Sequence, residues 1–79
     1  MKHELKILPE YFEAVAAGNK TFEIRKNDRN YKVGDTLILQ EFDGEKYTSR
    51  CTQRVVNYIT DYAQQDGYVV MSMGKNFGD

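Results

Sequence analysis

Lys20, Glu23 and Arg25 stand within six residues of one another, in the run Gly18-Asn19-Lys20-Thr21-Phe22-Glu23-Ile24-Arg25 that continues into Lys26-Asn27-Asp28-Arg29-Asn30. An arginine fork can hold a phosphate or a base edge at two points, and a lysine supplies a mobile positive charge. A carboxylate between them can accept from an exocyclic amine or fix the arginine. The run alternates Phe22 and Ile24 with Thr21, Glu23 and Arg25, the period of a half-buried strand. This predicts that Phe22 and Ile24 face a core and that the three polar side chains share the opposite face. Covering a carboxylate and a guanidinium is costly unless they meet each other or a ligand. The run is therefore the candidate site for a ligand, and a structural Glu23–Arg25 ion pair with a solvated Lys20 is the competing reading.

Charge is uneven along the chain. From Lys20 to Lys32 there are five bases and two acids, a local +3 in a protein of net charge −1 that leaves −4 elsewhere. Coating of polyanions by bulk charge is excluded, whereas attraction of one phosphate-bearing partner to one spot is not. A solvated basic loop is the plainer alternative. The 79 residues allow one domain with a modest core, and 41% hydrophobic and 13% aromatic residues describe a folded chain. With a single cysteine, Cys51, an internal disulfide and a cysteine-based metal cluster are excluded; Cys51 is expected to be packed in a strand. No His, Cys, Asp and Glu set has metal spacing, and His3 reads as a hydrogen-bonded or exposed strand residue. No cofactor and no metal are expected. The N-terminus lacks the apolar run of a signal peptide and no stretch suits a bilayer, so the expectation is a cytoplasmic protein without membrane contact, monomeric by default.

The elements that must position the run follow from periodicity and punctuation. His3 to Leu8 reads as a short strand with Leu5 and Ile7 on one face, and Pro9 ends it. Pro9 to Ala17 reads as an amphipathic helix, with Tyr11, Phe12, Val15 and Ala16 at helical spacing, Glu10 and Glu13 near its positive end, and Gly18 as the stop. The strand Thr21 to Lys26 follows. Asn27 to Asn30 and Gly34-Asp35 are turns, Thr36 to Phe42 is a strand, and Asp43-Gly44 opens a hairpin into a long arm, Lys46 to Ile59, with a bulge expected near Val55-Val56. Asp61 to Gly67 reads as a loop, Tyr68 to Met73 as a final strand and 75–79 as a frayed end. One helix and a run of mostly antiparallel strands predict an α+β fold. The expected form is a small curled sheet or partly closed barrel with the helix over one opening and a cleft between them.

The pattern Gly18-x-Lys20-x-x-Glu23-x-Arg25 resembles the G-x-K-x-x-E-x-R signature of the ASCH domains (activating signal cointegrator homology), whose β-barrel is similar to that of PUA RNA-binding domains. The likeness extends over nearly the whole chain. It runs from His3-Glu4-Leu5-Lys6 through Phe22 to Arg29 and Val33-Gly34-Asp35-Thr36-Leu37 to Tyr68-Val69-Val70, and points to a compact bacterial and phage branch of that superfamily in which the position of Ser49 is often glycine. The resemblance implies a PUA-like barrel that binds RNA or a nucleotide-like ligand in a cleft lined by Lys20, Glu23 and Arg25. Arg29 is a further candidate, and Lys26, Tyr47 and Arg50 secondary ones; an aromatic beside arginines, with Arg54 on the same arm, is able to stack a base. Some ASCH proteins are amidohydrolases that deacylate N4-acetylcytidine with a lysine, a threonine nucleophile and a glutamate. Lys20 matches that lysine, but Glu23 stands at the threonine's position, and Thr21, two residues early, is displaced by about 6 to 7 Å along a strand. An enzyme using Lys20, Glu23 and Thr21 is thus a weaker alternative, and a protein-interaction module is another.

Overall fold

A computed structural model describes residues 1–78. Its elements are β1 (Lys2–Ile7), α1 (Pro9–Ala16), β2 (Phe22–Lys26), β3 (Thr36–Phe42), β4 (Tyr47–Thr60) and β5 (Tyr68–Gly74). They form one five-stranded mixed sheet in the order β1-β3-β4-β5-β2. Only β1 and β3 run parallel; β3–β4, β4–β5 and β5–β2 are antiparallel. The sheet curls into a half-barrel around Leu5, Ile7, Leu37, Leu39, Val56, Val69, Met71 and Met73, with Phe12 and Val15 of α1 and Tyr31 completing the core. The α+β, barrel-like architecture with one helix is as expected from the sequence. No helix among the described residues is long and apolar enough to cross a membrane.

Topology decides where the site lies. After β1 the chain makes α1 and only then lays down β2, which joins the far end of the sheet. Hence β1 and β2 are the two edges, and the seam between them opens beside the helix. Pro9 opens α1 and Gly18 closes it. At φ +82° Gly18 supplies the left-handed residue that lets its own N–H reach Val15 O (3.0 Å) and the Asn19 N–H reach Ala14 O (2.9 Å). The Lys20 N–H also donates to Ala14 O, at 3.0 Å, so the helix stop fixes the backbone of the lysine that follows it.

At the hairpin, Asp43 Oδ1 accepts the N–H groups of Glu45 and Lys46 at 2.9 Å each, which holds the Asp43 carboxyl below its ordinary pKa. The bulge falls one residue beyond Val55-Val56: Val56 is opposite Met73 and Tyr58 opposite Ser72, so Asn57 is the extra residue of β4. That extra residue turns Val56 into the core and Tyr58 out to solvent. Ser49 has φ +76°, a backbone conformation that glycine adopts without strain. Cys51 is exposed rather than packed, because it lies opposite Gln40 on the outer side of the β3–β4 pair.

The alternation in β2 is read correctly but inverted in sense. Glu23 is 4% exposed and lies opposite the core residue Met71, with Arg25 opposite Val69, whereas Phe22 and Ile24 are 43% and 51% exposed on the outer face. The expectation that Phe22 and Ile24 fill the core is therefore overturned. The apolar pair stays half wetted because β2 is an edge strand whose outer face no element covers, and Glu23 tolerates burial because two cations reach it.

Candidate functional site

Hydrogen bonding fixes which main-chain groups of β2 face the seam. The Met73 N–H donates to Thr21 O (3.0 Å) and the Asn27 N–H to Gly67 O (2.7 Å), so odd-numbered residues of this strand bond to β5. The N–H and C=O groups of Phe22, Ile24 and Lys26 thus point toward the free edge. On β1 the Thr36 N–H donates to Met1 O (2.9 Å), and by the same logic Lys2, Glu4 and Lys6 present theirs to the opposite side.

Cationic side chains occupy two of these edge carbonyls. Lys20 Nζ donates to Phe22 O at 2.7 Å, and Arg25 Nη2 crosses the seam to Lys6 O, also at 2.7 Å. Both cations meet the buried carboxylate between them: Lys20 Nζ donates to Glu23 Oε1 (2.5 Å) and Arg25 Nε to Glu23 Oε2 (2.7 Å). Arg25 therefore clips the two edges of the half-barrel together, with Glu23 as its anchor.

The clip does not close the seam. A hollow of about 460 Å³ remains, its apolar walls formed by Ile7, Leu8, Tyr11, Phe22 and Ile24 and its polar groups supplied by Lys6, Lys20, Glu23 and Arg25. Its volume falls in the range of small-molecule sites, and so does its make-up, apolar walls with a few convergent polar groups. Two cations, Lys20 and Arg25, meet one carboxylate here, and Lys6 stands at the rim with its ammonium toward Phe42. Lys20 Nζ lies 4.9 Å from the centre of the Phe22 ring and 5.8 Å from that of Tyr11, so the two rings flank its charge. Arg25 Nη1 makes no hydrogen bond to the described residues, and among these no buried side-chain nitrogen or oxygen lacks a partner; Nη1 is therefore open to solvent.

The sequence candidates part company at this point. Lys20, Glu23 and Arg25 converge on the hollow. Thr21 does not; it lines a second hollow, of about 450 Å³, on the other side of Lys20. Arg29 and Lys26 are exposed and form no part of the first hollow's wall. Tyr47 stacks edge-on against Phe42 (5.3 Å, 69°), and Lys6 Nζ sits 4.5 Å from the Phe42 ring, which joins that pair to the rim through Lys6 alone.

Arg50, a secondary candidate, is committed elsewhere. Its Nε and Nη2 donate to Glu41 Oε1 (2.9 Å) and Oε2 (2.7 Å), Nη2 also donates to Glu13 Oε1, and the guanidinium lies 4.7 Å over the Phe12 ring. Arg50 pins β4 to β3 and α1. Its hydrogen bonds, followed by that from Thr48 Oγ1, hold the Glu41 carboxyl below the usual glutamate value, and the two carboxylates push the Arg50 guanidinium above its own.

Away from the seam, His3 Nε2 and Asp35 Oδ2 are 2.8 Å apart in a buried contact, with Tyr31 edge-on to the His3 ring at 4.8 Å. Burial pulls the Asp35 carboxyl up, but His3, the Lys32 N–H and the N-terminal ammonium together hold it below the ordinary aspartate value. Burial raises the Tyr31 hydroxyl's pKa, against the opposing charges of Arg25 and Arg29. These groups secure the β1–β3 end of the sheet. Among the described residues, no group of three or more His, Cys, Asp and Glu side chains has the arrangement to hold a metal ion.

Lys6, Leu8 and Tyr11 line the hollow and are not among the candidates drawn from the sequence. Their alternation and helical spacing are visible, but their meeting with β2 depends on β2 joining the far edge of the sheet, which no local pattern encodes.

Fold and site together define a small α+β half-barrel with a cation-lined cleft at its unclosed seam. Residues 2–73 match the family described as "Domain of unknown function (DUF3850)", and the chain belongs to that family. It is also similar to the "Uncharacterized 12.9 kDa protein in GpA 3'region" of Escherichia phage P2, 40% identical over 70 residues that cover 87% of this chain. The match spans 64% of that relative's length, under two thirds of it.

Proposed function

We propose that this protein is an ASCH-type, PUA-like domain that binds RNA or a nucleotide-like ligand in the hollow at the seam, with Lys20, Glu23 and Arg25 as its polar contacts. The observation that carries the reading is Arg25 Nη1, an open guanidinium donor in a hollow where two cations, Lys20 and Arg25, share one carboxylate and a third, Lys6, stands at the rim. Tyr11, Phe22 and Ile24 offer apolar surface to the flat face of a base, and Arg25 a donor to its anionic or carbonyl edge. Arg29 and Lys26 add long-range attraction without lining the hollow.

Two competing uses of the same seam are less well supported. Addition of a peptide strand needs unoccupied edge carbonyls, and Lys6 O and Phe22 O are already taken by Arg25 and Lys20. Deacylation by Thr21 needs its hydroxyl beside Glu23, and Thr21 lines the other hollow.

The test is amide NMR of the labelled protein with the four ribonucleoside monophosphates and with a random-sequence RNA hexamer pool. Shifts are expected around Lys6, Tyr11 and Lys20 to Arg29, and Arg25→Ala should weaken binding roughly tenfold to a hundredfold, the worth of one charged hydrogen bond, while the domain stays folded. Shifts that map elsewhere would overturn the assignment.

A further inference from the structure

The second hollow, about 450 Å³, lies behind Lys20, which lines both hollows. Arg54 and Lys75 contribute two cations to its wall beside Lys20, whose ammonium is bonded to Glu23 Oε1; Thr21 and Ser72 add two hydroxyls, and among the described residues no carboxylate lines it. In a chain with more acids than bases, such a wall is a local field for an anion.

The donors have capacity to spare. Arg54 Nη2 donates to Val15 O (3.0 Å) and Nη1 to Thr52 Oγ1 (2.6 Å) and Gln53 O (2.7 Å), which holds the guanidinium against the end of α1 and leaves Nε and one Nη2 hydrogen unused among the described residues. Lys75 makes no hydrogen bond or ion pair to the described residues. Both hollows are partly apolar; what distinguishes this one is that Tyr11, Phe22 and Ile24 are absent from its wall and that Arg54, Lys75 and two hydroxyls, groups suited to a phosphate, are present.

We infer that the second hollow is a phosphate subsite, and that the ligand is a single strand of at least two linked nucleotides whose base enters the first hollow while the neighbouring phosphodiester sits on Arg54, Lys75 and the Thr21 hydroxyl. This rests on the reading that the first hollow takes a nucleotide. It adds the requirement for a strand: a lone nucleotide fills one hollow, and a linked pair fills both around Lys20.

The experiment has two arms, both using Lys75→Gln, a change of an exposed side chain that spares the contact of Arg54 with the helix end. Inorganic phosphate titrated into the protein should shift the amides of Thr21, Gly74 and Lys75, and Lys75→Gln should abolish those shifts; shifts confined to Arg25, or none, would overturn the subsite. A fluorescent random-sequence RNA hexamer pool followed by anisotropy should bind tighter than any monophosphate. Lys75→Gln should weaken it about 5-fold near 0.1 M salt and reduce the slope of log affinity against log salt by about 0.7, the share of one phosphate contact to a single strand. If Arg25→Ala weakens hexamer binding while Lys75→Gln leaves affinity and slope unchanged, the first hollow stands and the second falls. If phosphate shifts Thr21 and Lys75 but neither RNA nor monophosphates touch the first hollow, both readings fail and a bare anion pocket remains.

Discussion

Glu23 and Glu41 are buried to the same extent, 4% exposed each, and each carboxylate is held by an arginine through Nε. Their surroundings are opposite in sign. Around Glu23 two cations, Lys20 and Arg25, meet one carboxylate; around Arg50 two carboxylates, Glu13 and Glu41, meet one cation. The first cluster lines a hollow and the second lines neither hollow, its arginine covered on one face by Phe12. A buried carboxylate and arginine therefore do not mark a site by themselves. What separates the two is surplus charge next to space: the Glu23 cluster attracts an anion and the Arg50 cluster repels one.

The largest effect expected from this contrast is on stability. Glu23→Gln leaves Lys20 and Arg25 side by side and mostly covered, with no counter-charge, and should cost about 3 kcal/mol, read as a lower urea midpoint. Glu41→Gln should cost less, because Arg50 keeps Glu13 and is half exposed. Equal losses would break the comparison, since they would mean that surplus charge does not matter at the seam.

The two clusters also differ in how far the sequence discloses them. Lys20, Glu23 and Arg25 lie within six residues of chain, so their association is local, and the shared face of Glu23 and Arg25 is readable from period-2 alternation. Which face they occupy is not, because alternation gives two faces without saying which is inside. Hydrophobicity favours Phe22 and Ile24 as the inner pair. The opposite outcome follows from an edge strand whose outer face is left bare, together with Lys20 and Arg25 compensating Glu23. The Arg50 cluster joins α1, β3 and β4 across 37 residues, and its pairing with Glu13 and Glu41 is set wholly by register and helix placement. Arg50 looked like a ligand contact for that reason: its charge was visible in sequence and its partners were not. The barrel-like sheet, the helix with its glycine stop and the bulge in the long arm were legible because each has a local cause.

A smaller effect separates the clusters by pH. Glu41 has its pKa lowered in the folded state, by Arg50 first and Thr48 second, so its ionised form favours folding. That contribution is complete above the ordinary glutamate value of 4.5 and is lost as pH falls through the lower folded value. Arg50→Gln removes the main cause. The variant's deficit in stability relative to the parent should be widest above about pH 5 and should narrow below about pH 4, measured by urea unfolding across that range. Its affinity for the RNA hexamer pool should not change. A loss of hexamer affinity in Arg50→Gln would place the Arg50 cluster in the ligand path and erase the distinction.

The smallest expected effect tests whether the helix stop contributes to the seam at all. Gly18 holds φ +82°, and nothing lies within 4 Å of where a Cβ would stand, so Gly18→Ala meets no clash and its cost is conformational, about 1 kcal/mol. The same turn brings the Lys20 N–H onto Ala14 O and thereby sets where the Lys20 side chain begins its reach to Glu23 and Phe22 O. If the alanine variant keeps the turn, stability falls slightly, hexamer affinity is retained and the Lys20 amide resonance stays near its parent position. If the turn relaxes instead, the Lys20 amide moves and affinity falls with it, while the Arg50 cluster, whose side chains make no bond to this turn, keeps the pH response described for the parent. The two measurements together assign the glycine either to the fold alone or to the placement of the lysine that both hollows share.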